Sequence, residues 1–202
     1  MRPSSTISCW VGIVLVMVTI GANAQAPTGH LTLENPGTLS DAEAEAAYGE
    51  IRDQLVDRYA ISRDPSATKY PTWTRLNRVP YLSATHGNRY VNNYADQVAV
   101  GAGYGTMKRG DRLPPGAVIA KDSFTVTNKG EIYGAALFLM EKLAPGTSSK
   151  TADWRYAMIL PDGSFTGDTL GADAADVAYC HTCHQAKAAT DYLFQVPKSF
   201  RK

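Results

Sequence analysis

The chain has 202 residues, of which 44% are hydrophobic and 19% charged. This length suits one domain, and the composition is that of a folded globular protein rather than a disordered one. Lys and Arg total 20 against 19 Asp and Glu, for a formal net charge of +1. This balance gives no reason to expect nucleic acid or an anionic membrane surface as a partner.

The N-terminus has the pattern of an export signal. Arg2 precedes an apolar run from Cys9 to Ile20, and the small residues Ala22-Asn23-Ala24 follow it. The run is shorter than the roughly 20 residues that a membrane-spanning helix needs. We therefore expect residues 1–24 to be a cleaved secretory signal, which predicts a periplasmic protein without a membrane anchor after cleavage. A retained membrane anchor is the alternative.

The first part of the mature chain is predicted to be mainly helical. Residues 25–39 are an extended lead-in, and residues 40–202 are predicted to form a single domain. Ser40 followed by Glu43 is a capping box, which satisfies two backbone donors at a helix start. Apolar residues then recur at three- and four-residue spacing, which predicts an amphipathic helix over 41–60. Residues 63–80 read as a loop, and a second helix is predicted over 90–100.

The second part has the composition of β-structure. Segments 117–126, 132–143 and 154–160 are rich in β-branched, aromatic and aliphatic residues and are separated by turn residues. They predict an antiparallel meander of at least three strands. Residues 174–189 then read as a short helix. The predicted class is α+β, with an antiparallel sheet packed against helices and a short C-terminal helix.

That last helix carries the motif Cys180-His181-Thr182-Cys183-His184. C-x-x-C-H is the attachment signature of c-type haem. Two thiols on one helical turn can reach the two vinyl groups of one porphyrin, and the adjacent histidine can then bind the iron as its proximal ligand. The sequence therefore predicts one covalently bound haem c, held by Cys180, Cys183 and His184.

Three other interpretations of the cysteine pair stay open. A thioredoxin-like redox pair would follow a strand in a βαβ unit, whereas this pair is close to the C-terminus. A zinc site needs four ligands, and only His30, His86 and His181 are left to complete one. A simple disulfide is the third interpretation.

The sequence contains no evident sixth ligand for the iron. Residues 185–202 include neither methionine nor histidine, and Met107, Met140 and Met158 are most simply core residues. His86 is either a distal ligand or an ordinary loop histidine. An iron without a strong sixth ligand is open to small molecules, which favours ligand binding or turnover over simple electron transfer.

Several segments together resemble the cytochrome P-460 family and its relative cytochrome c-prime-beta. They cover roughly residues 75–200. The matching pieces are a segment at 86–94 that looks like the family's helical segment, a Pro-x-Gly passage ending in lysine at 113–121, strand segments at 138–142 and 153–156, and Leu193-Phe194. The resemblance implies an antiparallel sheet packed on helices, usually in a homodimer, with a five-coordinate haem c. In the best-known members a lysine is joined covalently to the porphyrin rim, and by motif position that lysine is Lys121.

The resemblance also implies a function. Such proteins oxidise hydroxylamine and pass electrons to a periplasmic cytochrome, whereas relatives without the cross-link bind NO or CO. We expect the first activity, with non-catalytic NO or CO binding as the alternative and electron transfer alone as a weaker third. The polar distal residue is not identified by the motif: Asp122, Glu131, Glu141 and Arg155 are candidates, and Glu141 and Arg155 are retained as possible catalytic residues. Phe124 and Phe138 are candidates to crowd the distal face instead.

Overall fold

A computed structural model describes residues 35–202. The predicted signal at 1–24 and most of the predicted lead-in lie outside the described residues. Helix α1 spans Asp41–Tyr59, close to the predicted 41–60. It begins where predicted because Ser40 and Glu43 form both hydrogen bonds of a capping box.

Three shorter α-helices follow: α2 (Pro65–Lys69), α3 (Gln97–Gly101) and α4 (Ala178–His184). Helix α2 lies in the segment predicted to be a loop, and α4 lies in the predicted C-terminal helix, between two 3-10 segments. Within residues 35–202, no helix has the length and apolarity that crossing a membrane would require.

Eight strands form one antiparallel sheet. They are β1 (Thr74–Arg75), β2 (Tyr81–Ser83), β3 (Arg89–Ala95), β4 (Val118–Val126), β5 (Ile132–Gly134), β6 (Leu137–Lys142), β7 (Trp154–Ile159) and β8 (Phe165–Asp168). The main order is β1-β3-β4-β6-β7-β8, while β2 pairs with β3 and β5 pairs with β4. This architecture confirms the predicted α+β class.

The predicted helix over 90–100 is wrong for its first part, and only its last residues are helical, in α3 (Gln97–Gly101). Residues 89–95 form β3, which pairs with β4 through partners such as Tyr90 with Phe124 and Tyr94 with Ala120. The aromatic and β-branched residues of this segment suit a strand buried on both faces, and pairing across the sheet overrides the local helical pattern. The predicted strand over 132–143 is divided in two, since Ala135 and Ala136 separate β5 from β6.

The two faces of the sheet bury different partners because side chains alternate along a strand. On one face, α1 contributes Tyr48, Leu55 and Tyr59 to a core shared with β4 and β6. On the other face, Ile119, Met140, Trp154 and Tyr156 pack with residues of the connecting segments and the C-terminal region. The functional site described below lies on this second face.

The α1 face contains a buried carboxylate on β4. Asp122 is fully buried and accepts hydrogen bonds from the Tyr48 hydroxyl at 2.5 Å, the Asn92 amide at 2.9 Å and the Tyr70 hydroxyl at 3.4 Å. Burial raises the pKa of Asp122 to about 6, although these hydrogen bonds oppose the rise. The carboxylate is therefore stabilised by its donors but still carries a desolvation penalty.

We expect replacement of Asp122 by Asn to remove a pH dependence of stability. The pKa of about 6 in the folded state exceeds the value of about 3.9 in an unfolded chain. From about pH 4 to pH 6 the unfolded state loses this proton first, so the free energy of unfolding falls as the pH rises, by about 3 kcal/mol at most.

Urea unfolding of the wild type and of Asp122→Asn at several pH values between 4 and 7 measures the effect. Asp57→Asn, on the exposed side of α1, is the control for loss of an acidic side chain. The same pH dependence of the free energy of unfolding in the wild type and in Asp122→Asn would contradict a raised pKa for Asp122.

Candidate functional site

A cavity lies between the second face of the sheet and the C-terminal segment. All three residues of the predicted attachment motif line it: Cys180, Cys183 and His184. Helix α4 brings them together because positions three and four apart on a helix share one side. Both cysteines are free thiols, so the disulfide interpretation does not describe this structure.

The orientation of His184 is fixed by a backbone group. Its Nδ1 lies 2.5 Å from the carbonyl oxygen of Tyr192. A carbonyl can only accept, so Nδ1 carries the proton and Nε2 carries the lone pair. The ring also packs edge-on against Tyr156 and Phe194, with centroid distances of 5.4 Å and 5.1 Å. A neutral imidazole protonated at Nδ1 is the tautomer that binds a metal through Nε2.

The segment that positions this carbonyl is anchored in the core. Asp191 and Tyr192 both have positive φ angles, 53° and 64°, a conformation uncommon outside glycine. The Asp191 carboxylate accepts from Lys142 Nζ at 2.8 Å and from the Leu113 amide at 2.9 Å. These contacts hold the turn in place and thereby hold His184.

The rest of the cavity wall is mainly apolar. It includes the side chains of Ile119, Phe138, Met140, Leu193 and Phe194, while Ala120, Leu139 and Ala157 line it from strand positions whose side chains belong to the α1 core. Among the described residues that line the cavity, none is Asp or Glu. This apolar lining with a few polar groups is that of a small-molecule or cofactor site.

Lys121 is the one lysine among these described lining residues. It lies on β4, is 8% exposed, and points to the cavity face because its neighbours Ala120 and Asp122 point to the α1 face. Burial lowers the pKa of Lys121 to about 8. A larger fraction of its amine is therefore neutral and nucleophilic near pH 7 than for an exposed lysine.

Two rows of side chains cross the cavity face. Strand pairing aligns Ile119 with Met140 and Met140 with Tyr156 in the first row, and it aligns Lys121 with Phe138 in the second. The rows are two residues apart along each strand, or about 7 Å. His184 packs against Tyr156 of the first row, so Met140 lies in the row beside His184 rather than across the cavity from it.

His86 lies by the second row. The sequence allowed it to be either a loop histidine or a distal ligand. The structure buries it to 7% exposure, includes it in the cavity lining, and places its ring 5.1 Å from that of Phe138. The sequence contained no periodic signal for this position, because His86 belongs to a short 3-10 turn.

Glu141 and Arg155 are not brought to the cavity. Arg155 binds Asp64 at 2.6 Å, Asp168 at 3.2 Å and Glu141 at 3.5 Å. This cluster lies on the α1 face, since Glu141 and Arg155 alternate with Met140 and Tyr156 of the cavity face. Asp122 also faces away from the cavity, and Glu131 is exposed in a turn.

The other interpretations of the cysteine motif find no support here. Reactive redox cysteines have a lowered pKa, whereas burial raises the pKa of the Cys180 thiol to about 12. Across residues 35–202 there is no group of three or more His, Cys, Asp or Glu side chains arranged to hold a metal ion. A zinc site at this motif would lack its remaining ligands.

An antiparallel sheet with one face under a helix and the other around an apolar cavity with two thiols and an imidazole defines a haem-binding cytochrome. A family model described as Cytochrome P460 matches residues 67–195, well over half of the chain. The chain belongs to the cytochrome P460 family, which confirms the resemblance drawn from its sequence. No curated protein matches the chain.

The residues of the cavity fit the haem that this family implies. Cys180 and Cys183 would hold it through their thiols, and His184 presents the tautomer that an iron ligand requires. The apolar lining suits the faces of a porphyrin, while Lys121 lies where its amine can reach a buried edge.

We expect Arg155→Leu to reduce stability without changing the haem site. Removing the guanidinium leaves Asp64, whose side chain is fully buried, without its cation, at a cost of about 3 kcal/mol in the free energy of unfolding. Arg63→Leu is the control, because Arg63 is 70% exposed and pairs with Asp173 at 3.4 Å; its loss should cost about 1 kcal/mol or less.

Urea unfolding measures both costs, and the visible spectrum of the haem-loaded protein reports on the site. A shifted Soret band in Arg155→Leu would show that this residue acts on the haem after all.

Proposed function

We propose that this protein is an exported, periplasmic haem c cytochrome that oxidises hydroxylamine or a related small nitrogen species. Electrons would pass to a periplasmic acceptor, by expectation a cytochrome, and the protein would act as a homodimer. The observation that carries the proposal is the placement of Lys121 in the same cavity as Cys180, Cys183 and His184.

Each of these side chains has a defined part. Cys180 and Cys183 would hold one porphyrin through thioether bonds, and His184 would bind its iron. The haem, when bound, supplies a Lewis-acidic iron that accepts electrons one at a time. The apolar wall excludes bulk water, and Phe138, Leu193 and Phe194 restrict the space to small ligands.

Lys121 supplies the amine for a third covalent link. Its buried position lowers its pKa to about 8, which increases the neutral fraction that can form a carbon–nitrogen bond at the porphyrin rim. Forming this bond removes one hydrogen from the amine and one from the rim carbon, as two protons and two electrons. The step therefore needs a two-electron oxidant, such as hydrogen peroxide.

A specific observation favours a second function. No described residue of the cavity wall carries a carboxylate, and Phe138 faces the cavity beside His86. Hydroxylamine oxidation releases protons, for which a carboxylate is the usual acceptor. A wall of this kind suits non-catalytic binding of NO or CO, so this activity is the alternative.

We expect the haem of the mature protein to be linked to Lys121. A protease digest of protein made with a cytochrome c maturation system should yield a haem peptide that contains both the C-x-x-C-H segment and Lys121. The intact mass should also be two hydrogen atoms below that of the protein with two thioether bonds only.

Lys121→Ala should retain the thioether-bound haem but lose the third link, with a change in the ferrous Soret band. Lys129→Ala, in an exposed turn, is the matched control and should leave all three links intact. A wild-type haem peptide without Lys121 would exclude the cross-link.

A turnover assay distinguishes the two functions. With an artificial electron acceptor, we expect the haem-loaded wild type to reduce the acceptor in proportion to added hydroxylamine. Cys183→Ala, which lacks one attachment thiol, serves as the control for free or misplaced haem. Tight binding of NO without hydroxylamine-dependent reduction would favour the alternative, and a colourless mature protein would contradict both.

A further inference from the structure

His86 is held in the cavity wall by a short turn. The 3-10 segment Ala84–His86 follows β2 and ends at Gly87, which has a φ of 72°. This left-handed conformation is accessible to glycine at little cost, and it lets the chain turn back at once into β3. The imidazole is thus fixed at the edge of the sheet, and its ring rests 5.1 Å from Phe138.

His86 and His184 contact different rows of the cavity face. His184 packs on Tyr156 in the first row, and His86 packs on Phe138 in the second. These rows are about 7 Å apart along the strands. A haem held by His184 at the first row would therefore have the second row, and His86 with it, toward its opposite face.

The hydrogen bonds of His86 link its Nδ1 to two neighbouring hydroxyl groups. Nδ1 lies 3.0 Å from the Ser83 hydroxyl and 3.3 Å from that of Thr85, and these hydroxyls are 3.3 Å apart. A chain in which Thr85 donates to Ser83, and Ser83 donates to Nδ1, uses both hydroxyl protons within the group. In a neutral ring the proton is then on Nε2, which makes Nε2 a hydrogen-bond donor.

We propose that His86 is the distal residue of this site and donates a hydrogen bond from Nε2 to a small ligand bound at the iron. The inference rests on the proposed function, since it requires the haem to be present with His184 as the proximal ligand. Ser83 and Thr85 are positioning residues that set the tautomer, and Phe138 fixes the plane of the ring.

This arrangement defines the class of ligand that the site retains. A donor over the iron stabilises ligands whose outer atom carries lone pairs and partial negative charge, which includes iron-bound NO and the oxygen of hydroxylamine. A purely apolar wall gives such ligands no preference over CO. His86 thus supplies polarity in a cavity whose described lining contains no carboxylate.

The test compares His86→Leu with His86→Gln in the haem-loaded protein. Leucine is close to the size of the imidazole but donates nothing, whereas the glutamine amide can still donate. We expect NO to dissociate from ferrous His86→Leu about tenfold faster than from the wild type, as the loss of one hydrogen bond implies. His86→Gln should remain near the wild-type rate.

The C–O stretching frequency of the ferrous CO complex provides a readout independent of activity. It should rise in His86→Leu, because a donor near the ligand oxygen lowers it, and it should recover in His86→Gln. Unchanged NO dissociation and an unchanged C–O stretch in His86→Leu would overturn the proposal. A low-spin ferric wild type that becomes high-spin in both variants would also overturn it, by showing that His86 is an iron ligand.

The haem content of each variant separates this inference from the proposed function. Wild-type protein without covalent haem would refute the proposed function itself. Normal haem attachment with no effect of either substitution would refute the role of His86 alone.

Discussion

The register of β4 is the constraint on which the rest of the structure depends. Its period of two directs Lys121 into the cavity and its neighbour Asp122 into the core beneath α1. A slip of one residue would exchange the two, so that a carboxylate would enter the cavity and an ammonium would be buried among tyrosines. Pairing with β3 on one side and β6 on the other fixes the register over the length of the strand.

Each of the two buried ionisable groups is accommodated in a different way. Asp122 is satisfied by hydrogen bonds from Tyr48, Tyr70 and Asn92, which makes it part of the architecture. Lys121 faces a cavity wall with few polar groups, and its amine is available to whatever the cavity holds. The two faces of the sheet therefore separate Asp122, which has a structural role, from Lys121, whose amine faces the cavity.

The sequence predicted well those features that depend on local pattern. The capping box at Ser40 located the start of α1, and the C-x-x-C-H spacing identified the residues that meet in the cavity. The position of Lys121 followed from family resemblance together with strand alternation. The capping box and the C-x-x-C-H motif each involve only residues that are close together in the sequence, so they can be identified without knowledge of the tertiary structure.

The missed features depend on contacts distant in sequence. Residues 89–95 have a pattern compatible with a helix, but their pairing with β4 makes them a strand. Arg155 and Glu141 were candidates for the site because they are polar residues on predicted strands. The register of the strands turns both away from the cavity, and Arg155 pairs there with Asp64, which lies 91 residues away along the chain. His86 had no periodic signal in the sequence, and its position in the cavity wall depends on the 3-10 turn that follows β2.

The hydrogen bond from His184 to the Tyr192 carbonyl has a consequence for redox chemistry. A proton shared with a carbonyl increases the electron density on the opposite nitrogen, which makes His184 a more basic ligand. A basic axial ligand stabilises the oxidised, more positively charged metal over the reduced one. In the haem-loaded protein, the anchored turn at Asp191 and Tyr192 would thus favour the ferric state through a backbone oxygen that is not itself a ligand of the metal.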